Sequence, residues 1–122
     1  MPFNKKQTLP NFRRLKSGEE FRLAFAAHFY SNKWFAIYAR GNKTGTSRLG
    51  IIVSKKAVPH AVNRNYAKRL IREKFRRDFP VWHAVDIVVR LRRSLTQGTS
   101  GEVPGALVQL LADIQRDASV FD

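Results

Sequence analysis

Residues Lys55 to Arg77 hold nine lysines and arginines against one acid, Glu73. On a helical wheel at about 100° per residue, Arg64, Asn65, Lys68, Arg69, Arg72 and Arg76 share one arc. Tyr66, Ala67, Leu70 and Ile71 lie around the remainder, with Phe75 beside Ile71 at the border of the arc. A basic ridge on an apolar face is most often a solvated helix surface. Here the ridge is rich in arginine, whose planar fork matches phosphate oxygens two at a time, so contact with a folded RNA backbone is the favoured reading. Glu73 reads as an ion-pair partner for Arg69 and Arg77, four residues away on either side, rather than as a catalytic carboxylate.

Hydrolytic chemistry would need a metal-binding acid cluster or a paired acid and base. The nine acids are scattered, and His28, His60 and His83 have no metal-ligand spacing, so no catalytic and no metal residue is assigned. The chain has no cysteine, which removes disulfides, thiolate catalysis and cysteine-based zinc sites.

The 122 residues suit one domain, and 43% apolar with 11% aromatic residues excludes the composition of a disordered chain. A formal charge of +14 calls for a polyanion, with nucleic acid ahead of an anionic membrane surface. No helix offers a broad spare apolar face for lipid, and no apolar run suits a signal peptide or a membrane span, so a cytoplasmic protein without membrane contact is expected. Residues 1–16 read as a basic flexible tail interrupted by Pro2 and Pro10, and residues 17–118 as a single RNA-binding domain.

The elements that must position the ridge follow from punctuation and period. Ser17 and Glu20 have capping-box spacing, and Phe21, Ala24, Phe25 and His28 recur at helical intervals, which predicts a helix over 18–28 and a turn at Ser31-Asn32. Trp34 to Ala39 and Arg48 to Ser54 read as strands, and the polar residues 41–45 suggest that they form an antiparallel hairpin. By alternation Tyr38 falls with Trp34 and Ala36, away from Phe35 and Ile37. Pro59 and Pro80 bracket a helix from Ala61 to Asp78. Val85 to Leu91 is a strand with Val85, Ile87, Val89 and Leu91 on a core face and Asp86, Val88, Arg90 and Arg92 on a polar, basic one. A flexible loop over 94–104 then leads to an amphipathic helix carrying Leu107, Val108, Leu110, Leu111 and Ile114. The order α-β-β-α-β-α, with a crossover helix between strands, predicts an α/β (α+β) two-layer sandwich with a small mixed sheet.

The segment Ala61-Val62-Asn63-Arg64-Asn65-Tyr66-Ala67-Lys68-Arg69-Leu70-Ile71-Arg72-Glu73 resembles the signature of the bacterial ribonuclease P protein family, an Arg-Asn-Arg core followed by Lys-Arg and Arg-Glu. Arg48 to Lys56 and Asp86 to Arg92 resemble two further blocks of that family, and with Arg14-Leu15 and Glu20 to Phe25 the likeness covers about residues 14–116. The chain departs from the pattern at Tyr66, where the family has a second arginine, and at Pro59-His60. Tyr66 falls toward the apolar side of the wheel, so it is expected to pack or stack.

The resemblance implies a ribosomal-protein-like fold and a protein cofactor of ribonuclease P that acts on precursor tRNA with a catalytic RNA subunit. Lys55, Lys56, Arg64, Asn65, Lys68, Arg69, Arg72 and Arg76 would hold the catalytic RNA. A cleft with Phe21, Phe25, Tyr38, Arg90 and Arg92 would receive the single-stranded 5′ leader. Aromatic faces stack on unpaired bases without reading sequence, which suits leaders of varied sequence. Without the resemblance, Phe21 and Phe25 are more often core residues at helical spacing. The RNA would hold most of the Mg2+ and perform cleavage, leaving the protein inactive alone and monomeric in a 1:1 complex. A structural ribosomal or other RNA-scaffold protein would use the same ridge without a leader cleft. A DNA-binding protein would want a helix-turn-helix or dimer seam, and none is evident.

Overall fold

The computed structural model describes residues 9–25, 28–94 and 101–117. In chain order the elements are α1 (Gly18–Phe25), β1 (His28–Ser31), β2 (Phe35–Gly41), β3 (Arg48–Ile52), α2 (Ala61–Asp78), β4 (Val85–Leu91) and α3 (Val103–Arg116). The strands form one mixed sheet in the order β1-β2-β4-β3, with β4 antiparallel to β2 and parallel to β3. The α/β sandwich and the crossover helix, α2, are as the sequence predicts, with one strand more.

That strand is β1. The helical period of Phe21, Ala24 and Phe25 runs on to His28, but α1 ends at Phe25, residues 26–27 lie outside the described residues, and His28 opens β1 opposite Ala39. The tight hairpin therefore joins β1 to β2. Asn32 makes its turn, its side-chain oxygen accepting from the backbone N–H groups of Trp34 and Phe35 at 3.0 and 2.9 Å.

The hairpin expected between β2 and β3 does not form, because β4 lies between them. Every β4 residue but Arg90 is buried. A strand apolar on both faces belongs at the centre of a sheet, where neighbours cover both edges. The β2–β3 connection accordingly bonds to the approach of β4: Asn42 N–H donates to Ala84 O and Ser47 N–H to Val81 O, each at 2.9 Å.

Ala67, Ile71 and Phe75 of α2 and Leu107, Leu111 and Ile114 of α3 pack on Ile37, Ala39, Ile87 and Val89 to form the main core. Trp34 joins this core instead of the Tyr38 face, since it precedes β2 and its indole N–H is held by Glu102 at 2.9 Å. On the opposite face α1 covers part of the sheet, and Ala24, Leu15 and Val88 form a second, smaller cluster. The β4 face expected to be polar is thus partly core: Val88 and Asp86 are buried, and Arg90 is exposed.

The tail expected over 1–16 is packed from Leu9 onward; residues 1–8 lie outside the described residues. Leu9, Arg13 and Leu15 are buried, and Asn11–Arg13 make a 3-10 turn. Of the loop expected over 94–104, residues 95–100 lie outside the described residues, while Val103 and Pro104 open α3. Proline suits the first turn of a helix, whose N–H groups have no partner within it. Residue 118, the expected end of the domain, also lies outside the described residues.

Candidate nucleic-acid interface

Three buried residues spaced by four, Ala67, Ile71 and Phe75, seat α2 on the sheet and so turn its other side outward. Burial begins only at Ala67, so the first turns overhang the core and Val62 and Tyr66 face solvent. Tyr66, expected to pack against the apolar side, is 46% exposed. Asn65 and Arg69 are exposed, and Arg64, Lys68, Arg72 and Arg76 are half-buried along the same side.

Arg64 also works locally, donating to Val58 O at 3.0 Å and Pro59 O at 2.7 Å, which ties the start of α2 to the turn that carries exposed Lys55 and Lys56. Glu73 binds Arg76 at 2.7 Å, three residues on, a partner that the four-residue spacing did not name. Burial, with the Arg14 and Arg69 guanidiniums nearby, pushes Arg72 below the ordinary arginine range.

The other face of the sheet is set by strand register. Phe29, Tyr38, Val88 and Gly50 form one cross-strand row, and Ser31, Ala36, Arg90 and Ile52 the next. α1 lies over these rows. Its Phe21 ring occupies the space above Gly50, where a Cβ would stand 2.5 Å from a ring carbon, so only glycine leaves room for it. Phe21 is half-buried in that cluster, whereas Phe25 is 41% exposed and meets Tyr38 edge-on at 4.7 Å. Phe29, 55% exposed, approaches Tyr38 from β1 at 5.0 Å. Ending a helix at His28 and placing a turn at Ser31-Asn32 left Phe29 unassigned; strand alternation would have set it opposite Tyr38.

Arg90 is exposed in the row beside Tyr38. Arg92 lies beyond the strand, its side chain donating to Asn32 O at 2.5 Å and its backbone N–H to Trp34 O at 2.8 Å. Arg90 and Arg92, with Ser54 and Ala57, line a hollow of about 190 Å³ next to the Lys55-Lys56 turn. The structure therefore brings Phe25, Tyr38 and Arg90 onto one sheet face, sets Arg92 at its end, and uses Phe21 as a wall.

Charge holds α1 in place. The Ser17 hydroxyl accepts from Glu20 N–H at 3.1 Å, and the Glu20 carboxylate accepts from Lys16 and Ser17 N–H at 2.8 and 3.1 Å, completing the predicted capping box. The other Glu20 oxygen accepts from Arg48 at 2.7 Å, and Arg48 grips buried Asp86 through two bonds of 2.8 Å. The two backbone N–H donors, helped by Arg48, hold the Glu20 carboxyl below the usual carboxylate range. Among the described residues no three His, Asp or Glu side chains come together to hold a metal ion, and no helix is long and apolar enough to cross a membrane.

A family model described as Ribonuclease P matches residues 9–115. The ribonuclease P protein component of Chromobacterium violaceum is 38% identical over 104 residues, which cover 84% of this chain and 86% of that protein. Among solved structures, a Staphylococcus aureus RNase P protein mutant with defective mRNA degradation activity superposes with a TM-score of 0.76 at 33% identity, covering 85% of this chain and 89% of that one. The RNase P protein from Thermotoga maritima gives 0.61 at 31% identity, covering 83% and 93%.

Proposed function

The chain belongs to the ribonuclease P protein family, and from that premise we propose how its two surfaces serve removal of the 5′ leader from precursor tRNA. It is a protein component of an endoribonuclease that acts in tRNA 5′ processing with a catalytic RNA subunit. In our reading the ridge of α2, with Lys55, Lys56, Arg64, Asn65, Lys68, Arg69, Arg72 and Arg76, binds the catalytic RNA through its phosphates. Phe21, Phe25, Tyr38, Arg90 and Arg92 form the cleft for the leader, and Phe29 joins them. One protein monomer serves one RNA in the cytoplasm, as a single RNA-binding domain. The RNA holds the Mg2+ and cleaves; the protein alone is inactive, and it positions substrate and screens phosphate charge.

The observation that carries this reading is the open aromatic cluster around Tyr38, with exposed Arg90 beside it, on the sheet face away from α2. A ribosomal or scaffold protein would need the ridge alone. Truncating Tyr38 removes a stacking platform but no charge, so Tyr38→Ala should weaken precursor tRNA binding about 5- to 150-fold, the effect of losing about 1–3 kcal/mol of base stacking. Mature tRNA, which lacks a leader, should bind almost as before. Affinities of folded Tyr38→Ala for both tRNAs, measured in the complex with the catalytic RNA, decide the matter: equal losses would remove the leader cleft and favour the scaffold reading.

A further inference from the structure

Arg13 escapes a reading of the sequence as a basic tail, yet its side chain is buried, only 5% exposed. The guanidinium donates to Ser47 O at 3.2 Å, to the Ser47 hydroxyl, and to Phe79 O at 3.1 Å, and it lies 4.8 Å above the Phe75 ring. These partners are neutral, and among the described residues no carboxylate pairs with it. The carbonyl at the end of α2 carries partial negative charge from the helix, which compensates part of the cost of burying a cation. Geometrically the side chain is a clamp between residues 9–15, the β2–β3 connection and the end of α2.

The clamped segment extends the edge of the sheet. Arg14 bridges Leu49 in parallel, and Leu15 N–H donates to Leu49 O at 2.9 Å. Arg14 donates to Leu9 O at 2.8 Å and, with Lys68 and Arg72, surrounds a pocket of about 230 Å³ whose apolar wall includes Phe21, Leu49 and Ile51. None of the three cations pairs with a carboxylate among the described residues. Like charges held together in partial burial repel, and an anion between them relieves that repulsion.

We propose that Arg13 is a positioning residue, docking residues 9–15 so that Arg14 completes, with Lys68 and Arg72, a site for one phosphodiester of RNA. The proposal rests on the reading of α2 as an RNA-binding ridge and adds to it a member from outside the helix. Arg14 touches the phosphate; Arg13 acts through Arg14.

The test uses an oligouridylate, whose phosphates probe the site whatever RNA the chain serves, and reads the slope of log affinity against log salt. Arg14→Ala should reduce that slope by about 0.7, the share of one phosphate on a single strand. Arg13→Leu, although its side chain is buried, should give the same loss, and the double variant no more than either. A core variant of similar thermal stability, Leu111→Ala, should leave the slope unchanged, which separates positioning from general loosening. If Arg13→Leu does not fold, Ser47→Ala, which removes one of its acceptors, replaces it with the same expected non-additivity toward Arg14→Ala. An unchanged slope in the folded clamp variant, or losses that add in the double variant, overturns the proposal. Inorganic phosphate at constant ionic strength should bind far more weakly than the oligouridylate; phosphate that binds as tightly, and no longer does so in Arg14→Ala, would assign the pocket to a free ion instead. Failure of the functional reading would show elsewhere, as a precursor-to-mature affinity ratio that Tyr38→Ala leaves unchanged.

Discussion

Replacing Asp86 with alanine is expected to cost about 3 kcal/mol of folding stability and to loosen α1 from the sheet. Asp86 is buried and accepts from two Arg48 nitrogens at 2.8 Å and from the Asn42 side chain at 2.7 Å. Truncation leaves the Arg48 guanidinium, itself largely buried, with Glu20 as its remaining carboxylate partner. A buried charge stripped of its partner costs more than the intact pair contributes, so Asp86→Leu combined with Arg48→Met should be more stable than Asp86→Ala alone. Denaturant unfolding of the single and double variants reads this coupling directly. Effects that simply add would contradict it. The same network carries an acid signature. Glu20 has a folded-state pKa below its unfolded value, so its contribution is present above the ordinary carboxylate range and is lost as pH falls through the folded value. Because α1 bears Phe21 and Phe25, Asp86→Ala should also blunt the preference for precursor over mature tRNA.

Phe75→Ala should be the most destabilising single truncation in α2, at about 3–5 kcal/mol. The ring is fully buried, stacks on Phe79 at 5.4 Å with planes 8° apart, and carries the Arg13 guanidinium on its face. Its loss opens a cavity and also removes the aromatic platform under a buried cation, two effects of the same sign. Domains of this kind are stable by about 5–15 kcal/mol, so the variant should remain folded but close to its limit. Urea unfolding should show a lower midpoint with an unchanged m-value. A loss below about 1 kcal/mol would be too small for a filled core position of this size.

The parts of the fold that were legible in the chain are those decided locally. Pro59 and Pro80 bracket α2, and its range, Ala61–Asp78, is the one predicted; β4 likewise keeps its predicted range, Val85–Leu91. The capping box links Ser17 and Glu20, only three positions apart, and survives intact. What escaped was decided by distant partners. β1 is only four residues long and continues a helical period, so its pairing with β2 is what defines it. The polar residues after β2 look like a hairpin turn, yet β4 takes the place between β2 and β3.

The candidate site divides in the same way. The basic side of α2 follows from a wheel, because every member sits on one continuous helix. Tyr66 misled because a wheel gives direction but not where along its length the helix meets the core. Phe29 and Arg13 were invisible for a different reason: one lies opposite Tyr38 and the other beneath α2 through contacts 34 and 66 residues away along the chain.

The most direct test of the central claim is the Mg2+ requirement of a bacterial ribonuclease P RNA cleaving precursor tRNA, measured with and without this protein. A protein that neutralises phosphates and holds the leader replaces part of the counterion screening, so cleavage should reach half its maximal rate at a lower Mg2+ concentration when the protein is present. Protein freed of RNA should not cleave at any Mg2+ concentration. An unchanged Mg2+ requirement, or cleavage by RNA-free protein that disappears when one of its own acids is changed, would contradict the account.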